Sequence, residues 1–415
     1  MSFKSPSDRD GFTVAIICAL QTEYNAVSLI FDEFWDDDED KYGKASGDPN
    51  HYTVGRIGNY DVVLALLPHM GKVNAASAAA SMRSSYPALR LALIVGVCGG
   101  VPTSRQHGEI LLGDVIISSS VVQYDFGRQY PDKFERKDTI QDNLGRSNKD
   151  VRGLIALFGT DRGMERLETR TLRYLEQLQA NAASKKRIGK DKYSYPGTAQ
   201  DKLFEPSYRH KHHLQVACIC HECIQDADPV CDLAMSSSCI ALGCDEIHLV
   251  RRDRLDERQK QQAASDWVIQ EPNIHIGSVA SGDTVIKSAR HRDRIAQQEN
   301  VIAFEMEGAG VWDEVPCIVV KGVCDYADCH KNKGWQDFAA ATAAATTKAI
   351  LERYTQTDKD MISKRSEKVS SEENPGIVQN DQPPANMPRS VFNGPINGRN
   401  VLAGSSITGG TYNFG

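Results

Sequence analysis

An α/β fold with a central mixed, mainly parallel sheet is predicted from three features of the sequence. Short, almost uniformly apolar runs recur, at residues 12–19, 91–97 and 317–323, as expected for strands covered on both faces. Helical segments alternate with them. Glycine-rich or acidic turns stand at the strand ends, where open α/β sheets place their ligands. Residues 12–19 read as the first strand and 22–31 as the helix after it. A charged loop with the acidic run 36–40 follows, and its charges read as a solvated face. Residues 60–67 form the next strand, and 72–84 an Ala-rich helix introduced by Gly71. The strand 91–97 runs into the turn Gly96-Val97-Cys98-Gly99-Gly100. Residues 110–122 add strand, interrupted at Gly113-Asp114. The pattern resumes at 274–280, 301–304 and 317–323. A helix over 335–354, carrying the run AAATAAATTKAIL of high helix propensity, closes the domain.

Composition narrows the function classes. At 40% hydrophobic and 25% charged, most of the 415 residues are globular in character. A net charge of -7 gives no general attraction to nucleic acid or anionic membrane. No apolar run approaches the ~18 residues of a membrane span, and the N-terminus lacks a secretory core, so a cytoplasmic protein is expected. The eleven cysteines are scattered, as reduced thiols rather than a disulfide framework.

Residues 150–266 break the strand–helix rhythm and read as an insertion. They hold an amphipathic helix (164–183), a basic loop (185–192), the turn Tyr195-Pro196-Gly197 and a stretch rich in His and Cys. Residues 355–390 have the composition of a disordered linker. Residues 391–415 are rich in Gly and Asn and nearly uncharged, which suits either a flexible tail or a motif that stacks on copies of itself.

The chemistry concentrates at FEMEGAGV and VVKGVCDYAD. Glu307 falls just past the end of one buried strand and Asp325 at the end of the next, so both face one crevice. One carboxylate can accept from a sugar's hydroxyls while the other handles a proton on a departing base. That division suggests cleavage of a glycosidic bond to a nucleobase.

Seven blocks appear in one order: IICALQTEYNAV, GKVNAASAA, GVCGGV, GDVIIS, SVASGDTVI, AFEMEGAG and GVCDYAD. Together they resemble the nucleoside phosphorylase and nucleosidase superfamily, including the methylthioadenosine/S-adenosylhomocysteine nucleosidases. The insertion and CDYADCHKNKGWQ look most like fungal proteins in which such a domain precedes a NOD-like receptor ATPase module. This chain has no Walker-type G-x-x-x-x-G-K-[ST], so it is not itself that ATPase. The resemblance implies one three-layer domain over 12–354, a homodimer or larger assembly, and no cofactor or metal in catalysis. It implies that Met306 and Glu307 hold the ribose, with Glu305 beside them. Asp325 then protonates the purine, and Glu23 activates the attacking water. Phosphorylases of the superfamily bind phosphate with a Ser and an Arg around the glycine turn. Here Val97 stands at the Ser position and the strand before it, LALIVG, carries no Arg, which favours hydrolysis. Thr284, Val285 and Ile286, with Cys98 and Gly99, would hold the base, and Phe304 would stack on it.

Two features stay open on sequence. The basic run 287–294 reads as an exposed helix start, or as a cradle for a 5′-phosphate using Lys287 and Arg290, with Arg128 as a further candidate. The cradle would make a nucleotide such as ATP the substrate, as in immune-type relatives. His210, His212, His213, Cys218, Cys220 and Cys223 lack a standard structural-zinc spacing and read as a thiol-rich packed turn.

Overall fold

The computed structural model describes residues 4–36, 41–104, 106–215, 217–225 and 228–355. The linker and Gly/Asn-rich tail expected after Thr355 lie outside the described residues. In chain order the strands are β1 (Val14–Cys18), β2 (Glu33–Phe34), β3 (Tyr52–Ile57), β4 (Tyr60–Leu66), β5 (Leu91–Gly100), β6 (Thr103–Ser104), β7 (Gly108–Glu109) and β8 (Val115–Gln123). They continue as β9 (Gly127–Gln129), β10 (Phe134–Arg136), β11 (Ile274–Ser281), β12 (Val301–Glu305) and β13 (Cys317–Asp325). The helices are α1 (Gln21–Ser28), α2 (Lys72–Ser85), α3 (Lys149–Phe158), α4 (Asp161–Ser184), α5 (Asp232–Ser236) and α6 (Cys239–Leu242). After these come α7 (Asp253–Ala263), α8 (Ala289–Glu299), α9 (Gly308–Val311) and α10 (Gln336–Leu351).

Nine strands form one mixed sheet in the order β12-β11-β8-β13-β5-β1-β4-β3-β2. The parallel pairs β1–β4, β1–β5 and β5–β13 dominate its centre, and β8–β11 and β11–β12 are parallel as well. Strand β12 also pairs antiparallel with β5, Ala303 opposite Gly100 and Phe304 opposite Gly99. The strands β12, β11, β8, β13 and β5 therefore close on themselves at one end of the sheet. Two corrections follow. The segment read as a charged loop contains β3, paired with β4 from Tyr52↔Ala65 to Ile57↔Tyr60. Residues 110–112 lie outside the strand, which begins at Val115 after the Gly113-Asp114 turn.

Helix α10 explains its own composition. Every residue from Phe338 to Leu351 is buried, because the helix runs between the sheet, α1 and α4. Alanine permits that approach. A Cβ at Gly322 of β13 would overlap the Ala339 carbonyl, so strand and helix backbones meet without a side chain between them. The insertion is stitched to this layer rather than hung from it. Arg252 donates to the Asp201 carboxylate at 2.8 Å, and Tyr326 Oη donates to the same carboxylate at 2.8 Å. Arg254 holds the fully buried Asp114 bidentately, with His275 on the same carboxylate at 3.0 Å. These contacts keep Asp114 ionised well below the usual carboxylate range despite its burial. Among the described residues no helix is long and apolar enough to cross a membrane.

Candidate active site

The C-terminal ends of β1, β5, β11, β12 and β13 open into one cleft. Its lining includes Glu23 from α1, Val97, Cys98 and Gly99 from β5, and Thr284, Val285 and Ile286 from the loop after β11. Phe304, Glu305, Met306 and Glu307 come from the end of β12, and Asp325 from the end of β13, with Lys331 beyond it. Residues separated by about three hundred positions thus share a wall because parallel strands deliver their ends to one edge.

Glu23 is 2% exposed and is a cap as well as a site residue. Its Oε2 accepts from the amides of Ala19 (2.9 Å) and Leu20 (2.8 Å), closing the first turn of α1. Its Oε1 accepts from the amide of Val97 at 2.8 Å. A Cβ at Gly96 would overlap this carboxylate, so glycine is required where β5 passes it. Burial raises the Glu23 pKa above the ordinary 4.5, and the nearby Glu307 adds to the rise. Lys321 and the donated amides pull the other way without cancelling it.

Glu307 occupies the N-cap position of α9 but makes no capping bond there. Its Oε2 accepts from Lys321 Nζ at 2.9 Å and its Oε1 from the Gly71 amide at 3.3 Å. Gly71 has φ +114, a conformation glycine alone adopts readily. Glu305 points differently. Its carboxylate accepts from the amides of Glu307 (3.0 Å) and Gly308 (2.9 Å), so it shapes the turn that presents Met306 and Glu307.

Lys321, in the middle of β13 and 1% exposed, is the cation of the site. It lies 2.9 Å from Glu307 and 3.9 Å from Glu305, and its pKa is raised because these acids and Glu23 outweigh burial. The sequence reading passed over it. A lone lysine inside an otherwise apolar strand run was the available signal.

Asp325 accepts from the Ala327 amide at 2.8 Å through Oδ1, and its Oδ2 lies 3.0 Å from Lys331 Nζ. Ala327 has φ +51, sparsely populated for a residue with a Cβ. The turn is held there from both sides, Arg292 donating to the Tyr326 carbonyl at 2.7 Å and Asp201 accepting from Tyr326 Oη. Asp328 is buried and caps the His330 amide at 2.9 Å, a structural role. Lys331, like Lys321, went unread in the sequence.

Phe304 forms one wall of the cleft, with Tyr124 packed edge-on against it at 5.8 Å between centroids. Tyr124 Oη donates to the Thr284 carbonyl at 3.0 Å, and burial pushes its pKa up to about 12. The loop after β11 is fixed further by Asp283, whose Oδ1 accepts from the Lys72 amide at 2.8 Å. Burial pushes the thiols of Cys98 and Cys324 well up.

The sequence-predicted residues divide cleanly. Glu23, Glu307, Asp325, Met306, Glu305, Phe304, Val285, Ile286, Cys98 and Gly99 all line the cleft. Arg128, Lys287 and Arg290 do not: Arg128 lies on the exposed β9–β10 hairpin, and Lys287 and Arg290 flank the start of α8 on its exposed side. The buried member of that basic run is Arg292, spent on the Tyr326 carbonyl and Asp293. In the thiol-rich stretch, His210 falls in one cluster with Cys239, Cys244 and His330, and His212, Cys218 and Cys220 in another with Cys231, while His213 and Cys223 meet the Arg209 and Asp228 carbonyls instead.

The sequence pattern of the Phosphorylase superfamily matches residues 13–169. The chain is 31% identical over 347 residues to a nucleotide-binding leucine-rich repeat (NLR)-like protein of Hyaloscypha variabilis. That match takes in 82% of this chain and 29% of the relative, so the chain spans less than a third of that protein's length. It is 26% identical over 86 residues to a 5′-methylthioadenosine/S-adenosylhomocysteine nucleosidase of Mycobacterium bovis, covering 20% of this chain and 34% of that one. Among solved structures it is similar to the adenine complex of the Colwellia psychrerythraea methylthioadenosine/S-adenosylhomocysteine nucleosidase. There the identity is 13%, the TM-score 0.46, and the coverage 83% of this chain and 96% of the other. The corresponding values for Helicobacter pylori futalosine hydrolase are 14%, 0.41, 82% and 98%.

Proposed function

We propose that the protein is a purine nucleosidase, hydrolysing the N-glycosidic bond of adenosine, inosine or guanosine to free base and ribose. One observation carries hydrolysis over phosphorolysis: the Glu23 carboxylate fills the nest formed by the Ala19, Leu20 and Val97 amides. A phosphate at that turn would meet a negative charge and find its amide donor taken. It would also lack a hydroxyl and a guanidinium, each a charge-assisted contact worth roughly 1.5–3 kcal/mol.

In this reading Met306 and Glu307 hold the ribose, and Lys321 keeps Glu307 an acceptor for the sugar hydroxyls. Phe304, Ile286 and Gly99 flank the base. Water attacks C1′ as the bond to N9 breaks, its proton passing to Glu23, while Asp325 gives a proton to N7 so that the base departs neutral. The reading predicts an acid limb in kcat/KM. The base must be ionised, and its pKa is raised, so the rate should fall as pH drops through a value above 4.5. Glu23→Gln should remove that limb with most of the activity. A limb at or below 4.5 in the pH–rate profile would reject Glu23 as the base.

A nucleotide substrate is the second reading, favoured by the similarity to the NLR-like protein. Against it, Lys331 is the one Lys or Arg among the described lining residues outside the buried floor, and Asp325 engages it. The deciding experiment incubates the pure protein with adenosine, guanosine, inosine, AMP and ATP, with and without phosphate, and separates the products by chromatography. Free base and ribose from nucleosides without phosphate is the expected result. Ribose 1-phosphate formed only with phosphate would make it a phosphorylase, and base release from ATP alone would select the second reading.

A further inference from the structure

Residues 209–248 cannot hold their shape by apolar burial. Their own core is Cys220, Ala234 and Leu242, while Leu214, Ile224, Leu233 and Ile240 are 83%, 81%, 71% and 89% exposed. Segments this poor in core are held by cross-links or metal, and the cysteines here are all free thiols.

These thiols stand in two groups of four with histidines. The first is His210, Cys239, Cys244 and His330; the second is His212, Cys218, Cys220 and Cys231. In each group the ligand atoms lie within 4.8 Å of one another. A tetrahedral zinc with Zn–S about 2.3 Å and Zn–N about 2.0–2.1 Å has edges of about 3.5 Å from S to N and about 3.8 Å from S to S. In the first group Cys239 Sγ lies 3.7 Å from His210 Nδ1 and 3.6 Å from His330 Nδ1, and Cys244 Sγ lies 3.7 and 4.0 Å from the same nitrogens. In the second, His212 Nδ1 lies 3.4 Å from both Cys218 and Cys231 Sγ, which are 3.7 Å apart. The spacings match the tetrahedron's edges.

The outer contacts agree. His210 Nε2 meets the Ser237 carbonyl at 3.0 Å, and His330 Nε2 meets the Tyr208 carbonyl at 3.2 Å. Each carbonyl requires the proton on Nε2, which leaves Nδ1 with a lone pair facing the thiols. That is the arrangement of a metal-bound histidine with its supporting acceptor.

We infer that the insertion is a two-zinc module, with a Cys2His2 centre at His210, Cys239, Cys244 and His330 and a Cys3His centre at His212, Cys218, Cys220 and Cys231. Zn²⁺ displaces two thiol protons at the first centre, leaving it neutral, and three at the second, leaving it with one negative charge. All four positions of each centre are taken by protein, so both are structural. The first centre reaches beyond the insertion. His330 precedes Lys331, the partner of Asp325, so this metal fastens the segment after β13 that borders the cleft.

The test is metal analysis of the full chain, purified under reducing conditions without added metal, together with cobalt titration of the chelated protein. Close to two zinc per chain is expected, and cobalt should give intense thiolate-to-metal charge-transfer absorption. Cys239→Ser with Cys244→Ser, and separately Cys218→Ser with Cys231→Ser, should each lower the content to about one. Chelation should open residues 209–248 to protease while the sheet stays folded by circular dichroism. Zinc below about 0.2 per chain in the unmodified protein, with no charge-transfer band on adding cobalt, would overturn the inference without recourse to any variant. A content of one that either double substitution leaves unchanged would overturn the two-centre assignment.

Discussion

Replacing Asp325 by Asn is expected to slow base release by about 10²–10⁴-fold, the range for loss of one general acid. The substitution is nearly isosteric, and the side-chain carbonyl still accepts from the Ala327 amide, the bond that shapes this turn. Stability should therefore change little. Only the proton for the base, and the ion pair with Lys331, are lost. The measurement is kcat/KM for base release from inosine beside a thermal melt of both proteins. Turnover unchanged in Asp325→Asn would remove this residue from the chemistry.

The largest effect on stability is expected at Lys321. Its ammonium pairs with Glu307 and lies among three buried carboxylates, Glu23, Glu305 and Glu307. Lys321→Met fits the space but leaves these acids uncompensated, and breaking such a buried pair costs about 3–5 kcal/mol. Denaturant melts should show the midpoint fall accordingly. Adding Glu307→Gln to Lys321→Met should recover a substantial part of the loss, because the remaining neutral pair needs no counter-charge. An unchanged midpoint in the single variant would show that the cluster is not held by this cation.

Much of this architecture was legible because parallel strands announce themselves. The apolar runs that became β1, β12 and β13 each lead into a cleft residue, Glu23 in the helix after β1, Glu307 just past β12 and Asp325 at the end of β13. Less visible was what depends on contacts distant in sequence. The second partner of β12 is β5, and no local pattern marks that pairing. The strand β3 carries Tyr52, Thr53 and Arg56 within a polar stretch, which masked its alternation. The zinc spacing failed as a signal because the ligands are delivered by separated segments, His330 lying 91 residues beyond Cys239. In the basic run the sequence does not tell which charge turns inward: Lys287 and Arg290 are exposed, while the buried Arg292 reaches the turn after Asp325.

Because β12 is hydrogen-bonded on both sides, to β11 and to β5, the sugar end of the cleft has a wall that cannot part without rupturing two ladders at once. The opposite wall rests on lighter contacts: the loop with the exposed Thr284 and Val285 is held by Tyr124 Oη on the Thr284 carbonyl and by Asp283 on the Lys72 amide. Substrate traffic is thereby confined to one flank. Any breathing that admits a ligand falls to the loop after β11, while the β12 side meets it as an anvil already in place.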